Sequence, residues 1–576
     1  MTSIAIVGSG PSAVYALQAL LACRRPLAIT VFESGDIAGV GTPYDPRQNS
    51  IAMLANIASI EIPPVCLPLI DYLSGCDDHA LDAIGVTRDA LGERAFFPRV
   101  ALGAYFRDQL QALVSSAGER GHVVDVLTRH RVVDVIPTPG GIEIRFVAGG
   151  SHPRTLIADK LILATGHVVP GHRSVPTIES VAASKGDARD IGILGSSLSA
   201  IDVAVSVASA RGRFDEGGYT RHPGSPPFTL TMMSRGGRLP EADFYCPLPA
   251  QPAEGFTESD VADLAARTPE GQVLDAVFER FTAILSEADP DYANRTGLAD
   301  LTADSFPSAY FAERDGHAPF DWARLNLEEV ERNHANGHVV PWRYGILRSH
   351  EPFAACVEAL TAAELDRFNA GMKRVFADNY AAVPPLSIRR LLALHEASVL
   401  DVVKLDDGYA IEIDGVTGGA HIESGSSAFT FDAIVEARGL ASAGEDEFPF
   451  PTLRLVLKAN RDLDEDREGG GAVTVDADYR LTQGANPLRD IFCLSLPFLL
   501  DRKPFIQGLT SAADMGAAAA AAIIADVEGP DRSEGGQIGE LIGMISATQP
   551  VMLPNRAMML VPKAVTTADT RADGHH

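Results

Sequence analysis

The sequence predicts an α/β fold made of two βαβ units, one inserted into the other, with a largely helical insertion beyond them. Three observations predict it. Ser3-Ile4-Ala5-Ile6-Val7 is an apolar run that leads straight into Gly8-Ser9-Gly10-Pro11-Ser12-Ala13 and a helical stretch through Leu21. Asp190-Ile191-Gly192-Ile193-Leu194 leads in the same way into Gly195-Ser196-Ser197-Leu198-Ser199-Ala200. A strand-rich segment at 132–166 is echoed at 402–439, one on each side of the second turn. Strands alternating with helices point to parallel sheets.

Composition narrows the function classes. A chain of 576 residues is too long for one core and suggests roughly two to four structural units. Its 46% hydrophobic and 22% charged residues are ordinary for a soluble globular enzyme. The net charge of -28, from 48 Lys+Arg against 76 Asp+Glu, repels a phosphate backbone and argues against nucleic-acid binding. Six scattered cysteines (Cys23, Cys66, Cys76, Cys246, Cys356, Cys493) form no C-x-x-C pair, so a zinc ribbon, an iron–sulfur cluster or a redox dithiol has no local signature. The apolar start lacks a basic n-region and is broken at Gly8–Pro11, unlike a signal peptide. No run approaches the roughly 20 uninterrupted apolar residues of a bilayer span, and the Ala-rich 516–524 is short. The reading is a cytoplasmic protein with no membrane partner.

The first glycine turn carries the most specific chemistry. Gly8 permits the tight turn, Gly10 lets the backbone approach a pyrophosphate, and Ala13 lets the helix pack on its strand. Ser9, Pro11 and Ser12 complete the turn, and the helix start turns free N–H groups toward an anion. A second strand, Leu27-Ala28-Ile29-Thr30-Val31-Phe32, ends at Glu33, about 20 residues on, where a carboxylate accepts from ribose hydroxyls. The alternative is a purely structural βαβ turn. The following loop, Gly39-Val40-Gly41-Thr42-Pro43-Tyr44, and the segment Asn49–Ile57 with Asn56 are expected to cover the rest of a cofactor.

Together these segments resemble the two-dinucleotide-domain flavoproteins, in which FAD fills the first site, and within them the FAD/NAD(P)-binding proteins allied to flavin-dependent monooxygenases, N-hydroxylating ones included. Phe97-Pro98-Arg99-Val100-Ala101-Leu102-Gly103-Ala104-Tyr105-Phe106 is similar to the helix start of that group, which adds Arg99 to the cofactor candidates. The ending Ala164-Thr165-Gly166 matches that group's A-T-G segment; the echo ends in Ala437-Arg438-Gly439, with Arg438 where Thr is expected. The resemblance covers the first 240 residues well and the end of the chain loosely. It implies two Rossmann-like dinucleotide-binding domains, with an FAD domain split by an inserted NAD(P)H domain. The expected boundaries are 1–187 for the first half of the FAD domain and 188–240 for the NAD(P)H unit. A helical cap follows at 241–391, the second half of the FAD domain at 392–528 and a tail at 529–576.

In the second turn the central glycine is replaced by Ser197, so the approach to phosphate through Gly195, Ser196 and Ser197 is more crowded. The next strand, Thr229-Leu230-Thr231-Met232-Met233, ends in Ser234-Arg235-Gly236-Gly237-Arg238 with no acid at the ribose position. Arginine there pairs a 2′-phosphate, favouring NADPH, with NADH the alternative; a solvated loop is the bland reading of Arg235 and Arg238. Toward the end, Gln507, Gly508 and Thr510 open an Ala-rich helix. The resemblance aims its N–H groups at the pyrimidine side of the flavin.

Residues 241–391 hold helical patterns at 273–285 and 362–380 and many polar groups. No His pair there has ligand spacing, so no metal is expected. Arg343, Tyr344, Asn379, Lys503 and Arg99 are candidates for a polar, anionic substrate, with surface charge or core hydrogen bonding as the plain alternative for each. No sequence-local dyad assigns a catalytic acid or base. The resemblance implies an FAD-dependent, NAD(P)H-using monooxygenase that forms a hydroperoxyflavin and hydroxylates a small polar substrate with O2, at nitrogen or a soft carbon. A flavoprotein reductase or dehydrogenase without oxygen insertion, and a non-catalytic nucleotide-binding redox sensor, are the alternatives.

Overall fold

Two parallel sheets, each backed by an antiparallel meander, and one aromatic helical body organise the described residues. The computed structural model describes residues 1–149, 152–166, 188–415, 418–461, 471, 473–482 and 486–529. Of the expected C-terminal tail, only Gly529 falls within them.

The first sheet has five strands in the order Ile491–Cys493, Lys160–Leu163, Thr2–Val7, Leu27–Phe32, Val123–Leu127, all parallel. Both faces are covered, so its inner strands are mostly apolar, while the edge strand Val123–Leu127 alternates and carries Asp125. Ile4 and Ile6 face the helices Pro11–Leu20, Arg99–Ala117 and Leu509–Glu528. Ala5 and Val7 face a meander, His130–Thr138, Gly141–Ala148 and Arg154–Ala158, and the helix Pro451–Arg461. Leu509–Glu528 is the one described helix long and apolar enough to cross a bilayer. It packs along Pro11–Leu20 so tightly that a Cβ at Gly516 would lie 2.7 Å from the Ala16 nitrogen.

The second sheet runs Leu400–Lys404, Thr229–Ser234, Asp190–Leu194, Ala433–Glu436, again all parallel. Helices Leu198–Arg211 and Pro385–Glu396 cover one face. A meander of Ala410–Ile413, Ala420–Ser424 and Ser427–Phe431 covers the other through Ile422 and Phe431.

This corrects the expectation that 392–528 returns to the first unit. Residues 400–436 complete the second sheet: Leu400 pairs with Leu230 and Ala433 with Ile191. The echo is one meander per Rossmann unit, because each sheet has a face its helices leave uncovered. It is also offset by one strand. Val132 and Val133 lie in a meander strand, whereas Val402 and Val403 lie in the parallel sheet. The first unit resumes only after Gly439, with Pro451–Arg461, Ile491–Cys493 and Leu509–Glu528.

Between Thr257 and Tyr380 the chain is helical, around a core of Phe256, Phe278, Phe281, Phe306, Phe353 and Phe376. Phe505 of the first unit inserts among them. The stretch 362–380, read as one helix, is two, Ala362–Ala370 and Met372–Tyr380, interrupted at Gly371.

Candidate functional site

The first glycine turn is shaped for a ligand backbone rather than a side chain. Gly8 has φ +101°, and a Cβ there would lie 2.0 Å from the Ala164 carbonyl oxygen. Its N–H donates to the Phe32 carbonyl at 2.9 Å, tying the turn to the second strand. Gly10 is the N-cap of Pro11–Leu20, and no side chain caps that helix, which leaves its first N–H groups to an anion. Ala13 is buried against the sheet. The Gly39–Tyr44 loop crosses the helix start closely: a Cβ on Gly41, itself at φ +67°, would lie 3.0 Å from Pro11 Cδ and 3.1 Å from Gly10 Cα.

Glu33 sits at the end of the second strand as expected. Ser9 Oγ donates to one carboxylate oxygen at 2.6 Å, the Gly35 N–H donates to the other at 2.6 Å, and the Gly39 N–H donates to Ser9 Oγ at 3.1 Å. Ser34 Oγ also donates to the Gly35-bound oxygen at 3.4 Å, so a carboxylate with about four acceptor positions keeps room for one ribose hydroxyl. On the far side of the sheet end, Ser495 Oγ is 2.8 Å from Thr165 Oγ1, and the Thr165 N–H donates to it at 3.1 Å; Gly166 follows at φ +68°. The helix Leu509–Glu528 starts at Gly508, also without a side-chain cap, with Gln507 and Thr510 exposed beside it. Both this helix and Pro11–Leu20 follow parallel strands, so their free N-termini lie at the same carboxyl edge of the sheet. That edge is where open α/β sheets bind ligands. The cradles that a Cβ would fill and the two uncapped helix starts fit a dinucleotide.

The second turn repeats the construction. Gly195 has φ +126°, a Cβ there would lie 2.3 Å from the Ala437 carbonyl oxygen, and its N–H donates to Met233 at 2.7 Å. Ala437 therefore takes the place of Ala164, while Arg438 points to Glu436 and Tyr409 instead of repeating Thr165. Ser197 is the N-cap of Leu198–Arg211 without capping it. Ser196 Oγ joins Ser234 Oγ at 2.8 Å and the Arg238 carbonyl at 2.6 Å. Arg235 is exposed.

The remaining candidates separate. Arg99 Nη2 reaches Asp202 of the second unit at 2.7 Å, and burial pushes the Asp202 carboxyl up to about 6 against the opposing pull of Arg99. Arg99 thus ties the two units through Nη2, while its buried Nε has no partner. Nearby, Tyr44 lies against Phe106, and its hydroxyl is raised by burial, with Arg99 opposing. Asn56 holds a buried Oδ1 with no partner. Arg343 and Asn379 meet inside the helical body, where Asn379 donates to the Arg343 carbonyl at 3.3 Å. Arg343 is buried between Glu329 (3.1 Å) and Glu241 (3.3 Å), beside a cavity of about 400 Å³ lined by both tryptophans, Trp322 and Trp342. Its charge is already paired, which corrects its reading as a free anion contact. Tyr344 packs at the second unit beneath Arg348, and Lys503 sits over Tyr479, so the five substrate candidates do not converge on one site. Asp202, Ser495 and Asp315, which chelates Arg238, were not legible: each acts through a partner dozens to hundreds of residues away.

Residues 5–168 match the FAD-NAD(P)-binding family, and residues 257–380 match the YdhS-like middle domain. The chain is 39% identical over 535 residues to the YdhS protein of Escherichia coli (strain K12), covering 91% of this chain and 98% of that one. The chain belongs to the YdhS family. Its first Rossmann unit is an FAD/NAD(P)-binding domain, and the aromatic helical body is the YdhS-like middle domain. Among solved structures, this YdhS-family chain is similar to the ornithine N-hydroxylase KtzI of Kutzneria sp. 744, at 13% identity over 91% of this chain and 99% of that one (TM-score 0.47). It is also similar to L-lysine 6-monooxygenase of Pseudomonas syringae, at 15% identity over 91% and 99% (TM-score 0.46).

Proposed function

We propose that this chain is an FAD-dependent, NADPH-using oxidoreductase, and that it is a monooxygenase acting with O2 on a small polar substrate. The observation that carries the reading is the repeated turn: two Rossmann units, each with a positive-φ glycine pressed on an alanine carbonyl and an uncapped helix start, joined by Arg99 and Asp202. Bound FAD supplies the hydride acceptor and the chemistry with oxygen. Gly10 and the start of Pro11–Leu20 take its pyrophosphate, Glu33 its ribose, and the Gly508 helix start its ring. Gly195, Ser196, Ser197 and Arg235 hold the coenzyme.

The thiols favour oxygen over a disulfide as the electron acceptor. All six cysteines are free, and burial raises every thiol, with Cys246, Cys356 and Cys493 pushed up to about 12. A thiol relay needs accessible sulfurs of lowered pKa. The test is oxygen uptake with NADPH across a panel of small amines and amino acids. Hydroxylated product in proportion to oxygen used supports the monooxygenase. Substrate-independent, stoichiometric peroxide contradicts it and leaves a reductase.

A further inference from the structure

The ends of two adjacent strands in the second sheet carry a cluster of cations. Arg235 and Arg238 follow the strand Thr229–Ser234, and Lys404 ends Leu400–Lys404. The loop presses on that neighbour, since a Cβ at Gly237 would lie 2.7 Å from Lys404 Cβ. Ser196 of the phosphate turn bonds the Arg238 carbonyl, so this cluster lies directly beside the proposed pyrophosphate position.

Among the described residues, the acid that pairs with this cluster comes from the middle domain. Asp315 is the last residue of the helix Phe306–Asp315. Both its carboxylate oxygens accept from Arg238, at 2.5 Å from Nε and 2.6 Å from Nη2, while the guanidinium stacks over Phe311 at 4.1 Å. A carboxylate at a helix C-terminus is opposed by the helix dipole. Here Arg238, with Lys404 and Arg314 nearby, holds it ionised. The pair is partly open to solvent. A guanidinium fork that chelates a carboxylate through two N–H groups has the geometry that chelates a phosphate.

We infer that Asp315 is an internal stand-in for the coenzyme's 2′-phosphate, occupying Arg238 until NADPH displaces it. The 2′-phosphate dianion takes the Arg238 fork, with Arg235 and Lys404 beside it, and Asp315 swings to solvent. Coenzyme binding thereby releases one tie between the middle domain and the second Rossmann unit. NADH, lacking the phosphate, leaves the tie in place. This inference rests on reading the second unit as a nicotinamide coenzyme site.

The test measures NADPH and NADH dissociation constants calorimetrically on the full-length flavoprotein, with 2′,5′-ADP and 5′-AMP as competing probes. Removing a half-exposed competing carboxylate in Asp315→Asn is expected to raise the NADPH-to-NADH affinity ratio about two- to fivefold. The ratio of 2′,5′-ADP to 5′-AMP affinity should rise with it. Arg238→Lys, which keeps the charge but loses the fork, is expected to lower both ratios. Unchanged ratios in Asp315→Asn, with both coenzymes still binding, overturn the stand-in role while sparing the coenzyme site. Failure of the wild-type protein to bind either coenzyme overturns the site itself.

Discussion

The Arg99 guanidinium and the Asp202 carboxylate meet at 2.7 Å across the junction of the two Rossmann units, both largely buried. Asp202 lies in the helix that follows the second glycine turn, and Arg99 opens the helix beneath the Gly39–Tyr44 loop. Removing one partner of such a pair leaves the other charge without compensation. Arg99→Met is expected to cost about 3 kcal/mol in chemical unfolding and to slow coenzyme-dependent flavin reduction. Arg99→Lys should retain part of both.

The same pair sets a pH dependence. The folded-state pKa of Asp202, about 6, exceeds the ordinary value of 3.8, so the folded protein holds this proton more tightly than the unfolded chain. The cost of the ionised carboxyl is fully present above about pH 6. It is relieved as pH falls through that value toward 4. Asp202→Asn should remove this contribution, so the stability advantage of the variant over the wild type, largest above pH 6, should shrink as pH falls from 6 to 4.

Substitution of the two turn glycines should separate the two sites. Gly8→Ala places a methyl on the Ala164 carbonyl at a positive φ, and Gly195→Ala does the same at Ala437. Backbone strain of about 1–2 kcal/mol adds to a steric overlap of similar or larger size. Gly8→Ala is expected to purify without flavin. Gly195→Ala should keep its flavin yet lose NADPH-driven reduction, as read from visible absorbance.

Glu33 is expected to matter for flavin affinity more than for stability. Glu33→Gln removes the charge that Ser9 and Gly35 bond and that a ribose would share. Charge-assisted hydrogen bonds contribute about 1.5–3 kcal/mol, so the FAD dissociation constant should rise by about one to two orders of magnitude in titration of the apoprotein.

Close packing of the last helix supports the first site. Gly516→Val would drive a side chain into the backbone at Tyr15 and Ala16. A loss of about 1–3 kcal/mol in unfolding free energy is expected, together with weaker FAD retention, because Gly10 and Gly508 cap the two helices that would separate.

The parts of this architecture that were readable in the chain are the local ones. The turn at Gly8 and Gly10, the helix packing at Ala13 and the strand end at Glu33 were readable because a tight turn, a helix start and close helix packing each demand one residue type at one spacing. The same logic exposed Gly195 despite Ser197. Pairing between distant segments was not readable. Leu400–Lys404 could join either sheet by its own pattern, and only its register with Leu230 decides. Arg238 reads in the chain as a 2′-phosphate partner or a loop cation, and its pairing with Asp315, 77 positions on, is in neither reading. Arg343 looked available for a ligand, but Glu241 and Glu329 reach it from separate elements.

The most direct test of the central claim, that a flavin and a nicotinamide coenzyme meet on these two turns, is an anaerobic absorbance titration of the purified protein with NADPH. The expected result is a yellow protein whose visible flavin band bleaches on stoichiometric NADPH and returns on admission of air. A colourless protein that does not take up added FAD, or a flavin band that NADPH leaves untouched, would contradict it.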